Sequence, residues 1–232
     1  MDYLNENLPG YASYGVGRDD GARKGVRIVR RFMSSVINQT VWFYDSLGKI
    51  EFETCVDWHQ KHQMLKAVFP VDVNTDKATY EIQFGTLERP THRNTSWDES
   101  KFEVCAHKYA DVSEGNFGVS LINDCKYGHD IHEGVMQLSL LRGATYPDED
   151  ADQGEQSFTY ALCPHTGRLS DSDTVRLAYE LNDPAEAVRA SGRKTVLPLS
   201  FSAVTVESDR DNVICETVKP SEYGDDTVIR MY

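Results

Sequence analysis

A chain of 232 residues, 40% of them hydrophobic, is long enough for one large β domain or two small ones and can bury a core without disulfide staples. Its formal net charge of -13 works against the phosphate neutralisation that nucleic acids and anionic bilayers demand, so neither is expected as a partner. The cysteines Cys55, Cys105, Cys125, Cys163 and Cys215 are scattered without C-x-x-C spacing, no apolar run approaches membrane-helix length, and the N-terminus lacks leader character, which together point to a reducing, cytoplasmic setting.

Residues 1–25 show no period and read as an N-terminal arm or domain-boundary segment, whereas 26–232 read as one β-sandwich. Short strands are predicted around Val26–Ile28, Val36 and Val41–Phe43, carrying a basic cluster (Arg23, Lys24, Arg27, Arg30 and Arg31) suited to internal pairing or to a neighbouring domain. From Ile50 to His59 the side chains alternate: Ile50, Phe52, Thr54, Val56 and Trp58 share one face, and Glu51, Glu53, Cys55, Asp57 and His59 the other. After Gln60–Gln63 the alternation resumes at Leu65, Ala67, Phe69, Val71 and Val73, predicting a second strand that returns beside the first as a hairpin-like pair.

A strand is expected at Thr79–Gly85, then a long polar loop, Glu88–Asp98, that gathers hydrogen-bonding groups around Trp97. Strands follow at Lys101–Tyr109, Phe117–Ile122 and Val135–Leu141, with Asn123–Asp130 as a polar connection between the last two. An acidic loop at Asp148–Gly154 precedes a strand at Ser157–Cys163. Asp183 as cap and Pro184 at the first helical position predict the only helix, and three strands close the chain near 197–205, 213–218 and 227–232. Repeated short strands between turn clusters define an all-β, antiparallel sandwich with one short helix.

Three chemistries can be weighed on residue types alone. His59/His62 and His129/His132 have H-x-x-H spacing, but neither pair lies on a helix, and a zinc site needs three or four convergent ligands, so ordinary hydrogen-bonding roles are favoured. Asp98, Asp124 and Asp130 sit in loops where a glycosidase pair could form, against the plainer reading of turns and caps. Cys105 and Cys125 lie in or beside apolar strands, where inert thiols are the commoner outcome, and no G-x-S-x-G elbow exists. The sequons at Asn38 and Asn94 are read as chance.

The run Phe52, Thr54, Val56, Asp57, Trp58, His59, then Leu65, Lys66, Phe69, Pro70 and Val71, resembles the C-terminal β-sandwich domain of family 38 α-mannosidases of the cytosolic and vacuolar branch, with Gln60 and Met64 as small departures. The similarity continues in order through Arg89–Asp98, Phe102–Lys108, Gly118–Gly128, Leu138–Arg142, Pro147–Gly154, Phe158–His165 and Glu216–Lys219, so it covers about Val26 to Tyr232. The resemblance implies a sandwich of the galactose-mutarotase-like supersandwich type. It also implies a role within an enzyme that removes terminal α-linked mannose from oligosaccharides.

In that resemblance the aspartate nucleophile and the zinc belong to an N-terminal catalytic domain of the same protein, so this chain carries no catalytic residue, no metal and no cofactor of its own. Its expected partners are that domain, a mannose-containing oligosaccharide and further copies in a homo-oligomer. The β-domain loops of related enzymes wall one side of the catalytic pocket, which makes Arg89, His92, Asn94, Trp97 and Asp98, with Asn123, Asp124, Lys126 and Tyr127, the cleft candidates. The alternative classes are a stand-alone carbohydrate-binding module and a non-catalytic assembly domain.

Overall fold

The computed structural model describes residues 13–189, 198, 200–209 and 212–232. They fall into two compact units, divided after Pro184. In chain order the first unit carries β1 (Ser13–Asp19), β2 (Arg23–Phe32), β3 (Ser35–Tyr44), β4 (Ile50–Trp58), β5 (Leu65–Pro70), β6 (Lys77–Ile82) and β7 (Gly85–Pro90). It continues with α1 (Ser96–Ser100), β8 (Val104–Cys105), β9 (Tyr109–Glu114), β10 (Phe117–Asn123), β11 (Gly128–His132), β12 (Val135–Leu141), β13 (Gly154–Thr166) and α2 (Thr174–Asn182). The second unit contains the antiparallel pair β14 (Cys215–Pro220) and β15 (Thr227–Met231).

Nine strands form one antiparallel sheet in the order β1-β2-β3-β4-β13-β10-β9-β6-β7, and β5-β12-β11-β8 form a second. Val56, Trp58, Tyr80, Leu121 and Phe158 from the first sheet meet Ala67, Met136, Leu138 and Leu140 from the second in one core. Each large side chain buried there contributes roughly 1.5–3 kcal/mol. The outer face of β9, β10 and β13 is covered in turn by Leu177 and Ala178 of α2, packed on Tyr109, Ile122, Ala161 and Cys163. The all-β sandwich is therefore observed, with the large sheet buried on both faces at its centre.

The alternation of β4 is observed, but its expected hairpin with β5 is not. β4 pairs with β3 and β13, while β5 pairs with β12 in the other sheet. The segment between them crosses the sandwich, so the two apolar faces meet, with the Phe52 and Phe69 rings 5.4 Å apart. Period two specifies which side is buried and says nothing about whether the partner is beside or opposite. The same ambiguity divides the strand expected at Lys101–Tyr109. Val104–Cys105 pairs with β11 in the small sheet, the chain then switches layers, and Tyr109 opens β9 in the large one.

Helices also differ from expectation. Among the described residues there are two α-helices and a 3-10 turn at Leu169–Asp171, and Asp183–Pro184 ends α2 instead of starting a helix. A residue before proline is driven out of the α region, and Asp183 accordingly has φ -134° and ψ 72°. α2 forms upstream because Leu177, Ala178 and Leu181 share a face, and Arg176 bonds Glu180 at 2.6 Å on the wet side. Ser13–Asp19, within the expected arm, is an edge strand on β2, and edge pairing by backbone alone requires no apolar period. The connection Asn123–Asp130 ends in β11, a strand despite its polar composition. The expected strand near 197–205 is not seen at the described residues 198 and 200–205, and Leu197 and Leu199 lie outside the described set.

Where α2 begins, the large sheet holds a buried polar network. Asp111 is 2% exposed and accepts from Ser113 Oγ (2.6 Å), Ser120 Oγ (2.7 Å) and His165 Nε2 (2.8 Å). Ser120 Oγ also bonds Thr174 Oγ1 at 2.7 Å, tying β10 to α2. Gly118 makes room for it: a Cβ there would overlap the His165 ring and lie 2.5 Å from Ser113 Oγ. Gly118→Ala is expected to displace His165 from Asp111 and lower the unfolding free energy by ~1–3 kcal/mol in urea titration, with native secondary structure retained.

Candidate functional site

The polar loops converge at the edge of the sandwich formed by β6, β7, α1, β8 and β11, around a notch lined by Tyr80, Arg89, His92, Arg93, Asp98, Lys101, His129, Asp130 and His132. Arg89 leaves β7 with its guanidinium 4.7 Å over the Tyr80 ring, and its Nη1 donates to the Cys105 carbonyl at 3.2 Å. Arg93 pairs with the buried Asp130 at 2.8 Å. Burial drives the Tyr80 phenol well above its ordinary range, so the hydroxyl stays protonated. The open space is about 30 Å³, enough for one or two waters or a hydroxyl-bearing group and too small for a whole sugar ring.

His129 is the notable member. Its ring is fully buried, Nδ1 lies 3.1 Å from the Tyr127 carbonyl, and Nε2 has no partner. A carbonyl only accepts, so Nδ1 carries the proton and Nε2 offers a bare lone pair. Burial lowers the pKa from 6.5 to about 4, the bond to Tyr127 partly opposing it, so the ring is neutral near pH 7.

The nine sequence candidates do not form one site. Arg89, His92 and Asp98 line the notch, whereas Asn94 and Trp97 stand exposed beside it, Trp97 at 75%. Asp98 is engaged in a capping box: its Oδ2 accepts from Thr95 Oγ1 (2.8 Å) and Thr95 N (3.2 Å), and Thr95 Oγ1 accepts from Asp98 N (3.2 Å). That box turns part of the expected loop into α1. Asn123 is fully buried, donating to the His107 carbonyl and accepting from Lys126 N, so its role is to hold the β10–β11 connection.

Asp124 accepts from Thr159 N at 2.8 Å and borders a separate, shallow polar trough of about 420 Å³ on the outer face of the large sheet, with Arg27, Asn38 and Glu53. Lys126 lies 4.6 Å over the Phe158 ring, and the Tyr127 ring meets His107 edge-on at 5.3 Å. Tyr80, Arg93, Lys101, His129, Asp130 and His132 were not among the candidates. Only the H-x-x-H spacing and the neighbouring Asp130 pointed toward any of them.

Among the described residues no three His, Cys, Asp or Glu side chains converge as a metal site. His59 pairs with Asp57 at 2.8 Å and His132 lies 3.7 Å from Glu133, each on the surface. Among the described residues, no helix is long and apolar enough to cross a membrane.

Solved structures share this two-layer antiparallel fold. A glycosyl hydrolase family 38 protein from Enterococcus faecalis superposes with TM-score 0.80 at 16% identity, over 97% of this chain and 31% of its own. An α-mannosidase from Enterococcus faecalis V583 superposes with TM-score 0.77, over 96% of this chain and 30% of its own. Residues 5–150 match the family described as "Glycosyl hydrolases family 38 C-terminal domain", and the chain belongs to that family.

Among curated relatives, Alpha-mannosidase 2C1 of Homo sapiens is 42% identical over 100% of this chain, and Alpha-mannosidase of Saccharomyces cerevisiae is 44% identical over 84%. The chain spans 23% of the length of the human protein and 17% of that of the yeast protein.

Proposed function

We propose that this chain is the C-terminal region of a cytoplasmic α-mannosidase that hydrolyses terminal α-linked mannose, and that its notch forms part of one wall of the sugar cleft. The observation that carries the reading is the identity above 40% to α-mannosidases from two distant organisms. The chemistry of the notch supports the cleft role. A sugar hydroxyl both donates and accepts, and here it would accept from the Arg89 guanidinium, which is only half-buried at the notch. Trp97 adds an exposed aromatic face beside the notch.

Zinc is implied by the family resemblance, but the residues here do not fit it, since no three ligand-type side chains converge among those described. In this reading the metal and the nucleophile belong to the N-terminal catalytic domain of the same protein, which is the chain's principal partner. The isolated chain is then inactive, and further copies join it only as a homo-oligomer of the whole enzyme.

The test is Arg89→Ala in the full-length protein, assayed on a chromogenic α-mannoside. Loss of one charged hydrogen bond to substrate is expected to lower kcat/KM by about 10–100-fold, with only a small drop in Tm from the lost contacts to the Cys105 carbonyl and Tyr80. Absence of hydrolysis by the unsubstituted protein overturns the mannosidase reading, and an unchanged kcat/KM in the variant overturns the cleft role. The exposed Trp97 favours a second reading, a binding module that acts alone. Calorimetry of the 232-residue chain with mannose oligomers gives heat only in that case.

A further inference from the structure

Next to the notch, where Arg89 holds the Cys105 carbonyl, the layer switch between β8 and β9 brings a thiol, an imidazole and a buried carboxylate into line. Cys105 is exposed, although it lies in a strand. Its Sγ has two acceptors within reach, the Ala106 carbonyl at 3.9 Å and His107 Nε2 at 4.0 Å. His107 Nδ1 faces Glu81 Oε2 at 3.7 Å, and Glu81 is 2% exposed. Glu81 is itself fixed by Lys108, whose backbone N donates at 2.9 Å and whose ammonium lies at 3.2 Å.

The neighbours favour one protonation pattern. With the ring proton on Nδ1, toward Glu81, the free Nε2 lone pair faces the Gln83 amide at 3.3 Å and the thiol. When the ring takes a second proton, rotation of the Gln83 amide presents its oxygen to Nε2–H. The buried Glu81 carboxylate opposite Nδ1 orients the ring. Thiol, base and orienting carboxylate are the parts of an activated nucleophile.

We infer that Cys105 is a reactive thiol that undergoes thiol–disulfide exchange with low-molecular-weight disulfides. The Sγ proton passes to His107 Nε2, and the thiolate attacks one sulfur of the disulfide. A new S–S bond forms to Cys105 as the old one breaks, and the released thiolate takes the proton back from His107. The other thiols provide internal comparisons. Cys55 is exposed in the trough with Arg27, Glu53 and Asp124, which holds no histidine, burial and then Asp124 push Cys125 up to about 11, and burial pushes Cys163 up to about 12.

The experiment treats the 232-residue chain with dipyridyl disulfide near neutral pH, follows thiopyridone release and assigns each modified cysteine by peptide mass mapping. Cys105 is expected to react first, about tenfold faster than Cys55, and His107→Gln is expected to bring it down to the Cys55 rate. Equal rates at Cys105 and Cys55, or an unchanged rate in His107→Gln, overturn the inference. Should that variant fail to fold, Cys105→Ser decides: loss of the fast phase supports the assignment, and its survival overturns it.

Discussion

Asp111→Ala is expected to lower the unfolding free energy by ~3–5 kcal/mol, read as a drop in the urea midpoint at unchanged slope. The carboxylate is almost wholly buried and accepts three hydrogen bonds, from Ser113, Ser120 and His165. Truncation leaves two hydroxyls and an imidazole facing a void that α2 and the sheet close over, and each unmet donor costs about 1–3 kcal/mol. The arrangement superficially resembles a catalytic triad, but its serines bond the carboxylate and not the imidazole. His165 Nδ1 has no partner. The network therefore locks β9, β10, β13 and α2 together, and a loss of less than ~1 kcal/mol in Asp111→Ala would show that this lock contributes little.

Acidification gives the second large effect. His129 titrates at about 4 in the folded protein against an ordinary 6.5, because burial disfavours the charged ring. Between those values the unfolded chain binds a proton that the folded one refuses. This contribution is therefore fully present above pH 6.5 and is lost as pH falls toward 4, about 3 kcal/mol over the window. His129→Gln cannot take up that proton and keeps a donor for the Tyr127 carbonyl. Urea titrations at a series of pH values should give the variant a flatter stability profile than the parent by that amount. Parallel profiles would mean that His129 is solvated and not sequestered.

The period-two alternation of Ile50–Trp58 and of the run beginning at Leu65 is enough to read most of the burial, the exception being Glu51, which lies on the expected wet face but is buried in ion pairs with Arg23 and Lys49. What alternation cannot carry is the identity of the neighbour. Phe52 and Phe69 meet across the core and not along one sheet, and Val104–Cys105 and Tyr109 lie in different layers although one continuous run contains them. Pro184 was legible as a helix boundary, but its direction was not. Proline both disfavours the α region in the residue before it and suits a first helical turn, so the residue alone fits either end of a helix.

The notch was half visible. Arg89, His92 and Asp98 come from one stretch of chain, whereas Tyr80, His129 and Asp130 arrive from β6 and β11, and only tertiary pairing brings them to the same edge. Asn123 illustrates the opposite error. A polar side chain in a motif that looks functional is fully buried in hydrogen bonds to its own backbone surroundings.

The position of β13 bears on how this molecule is made. It lies between β4 and β10, yet in the chain it begins 96 residues after β4 ends, at Gly154 against Trp58. A nascent chain that has emerged only as far as residue 150, where the family match stops, holds two half-sheets with their central slot empty and their backbone edges unpaired. Closure must await the emergence of β13, so the two half-sheets are most open to misassociation before that strand is made.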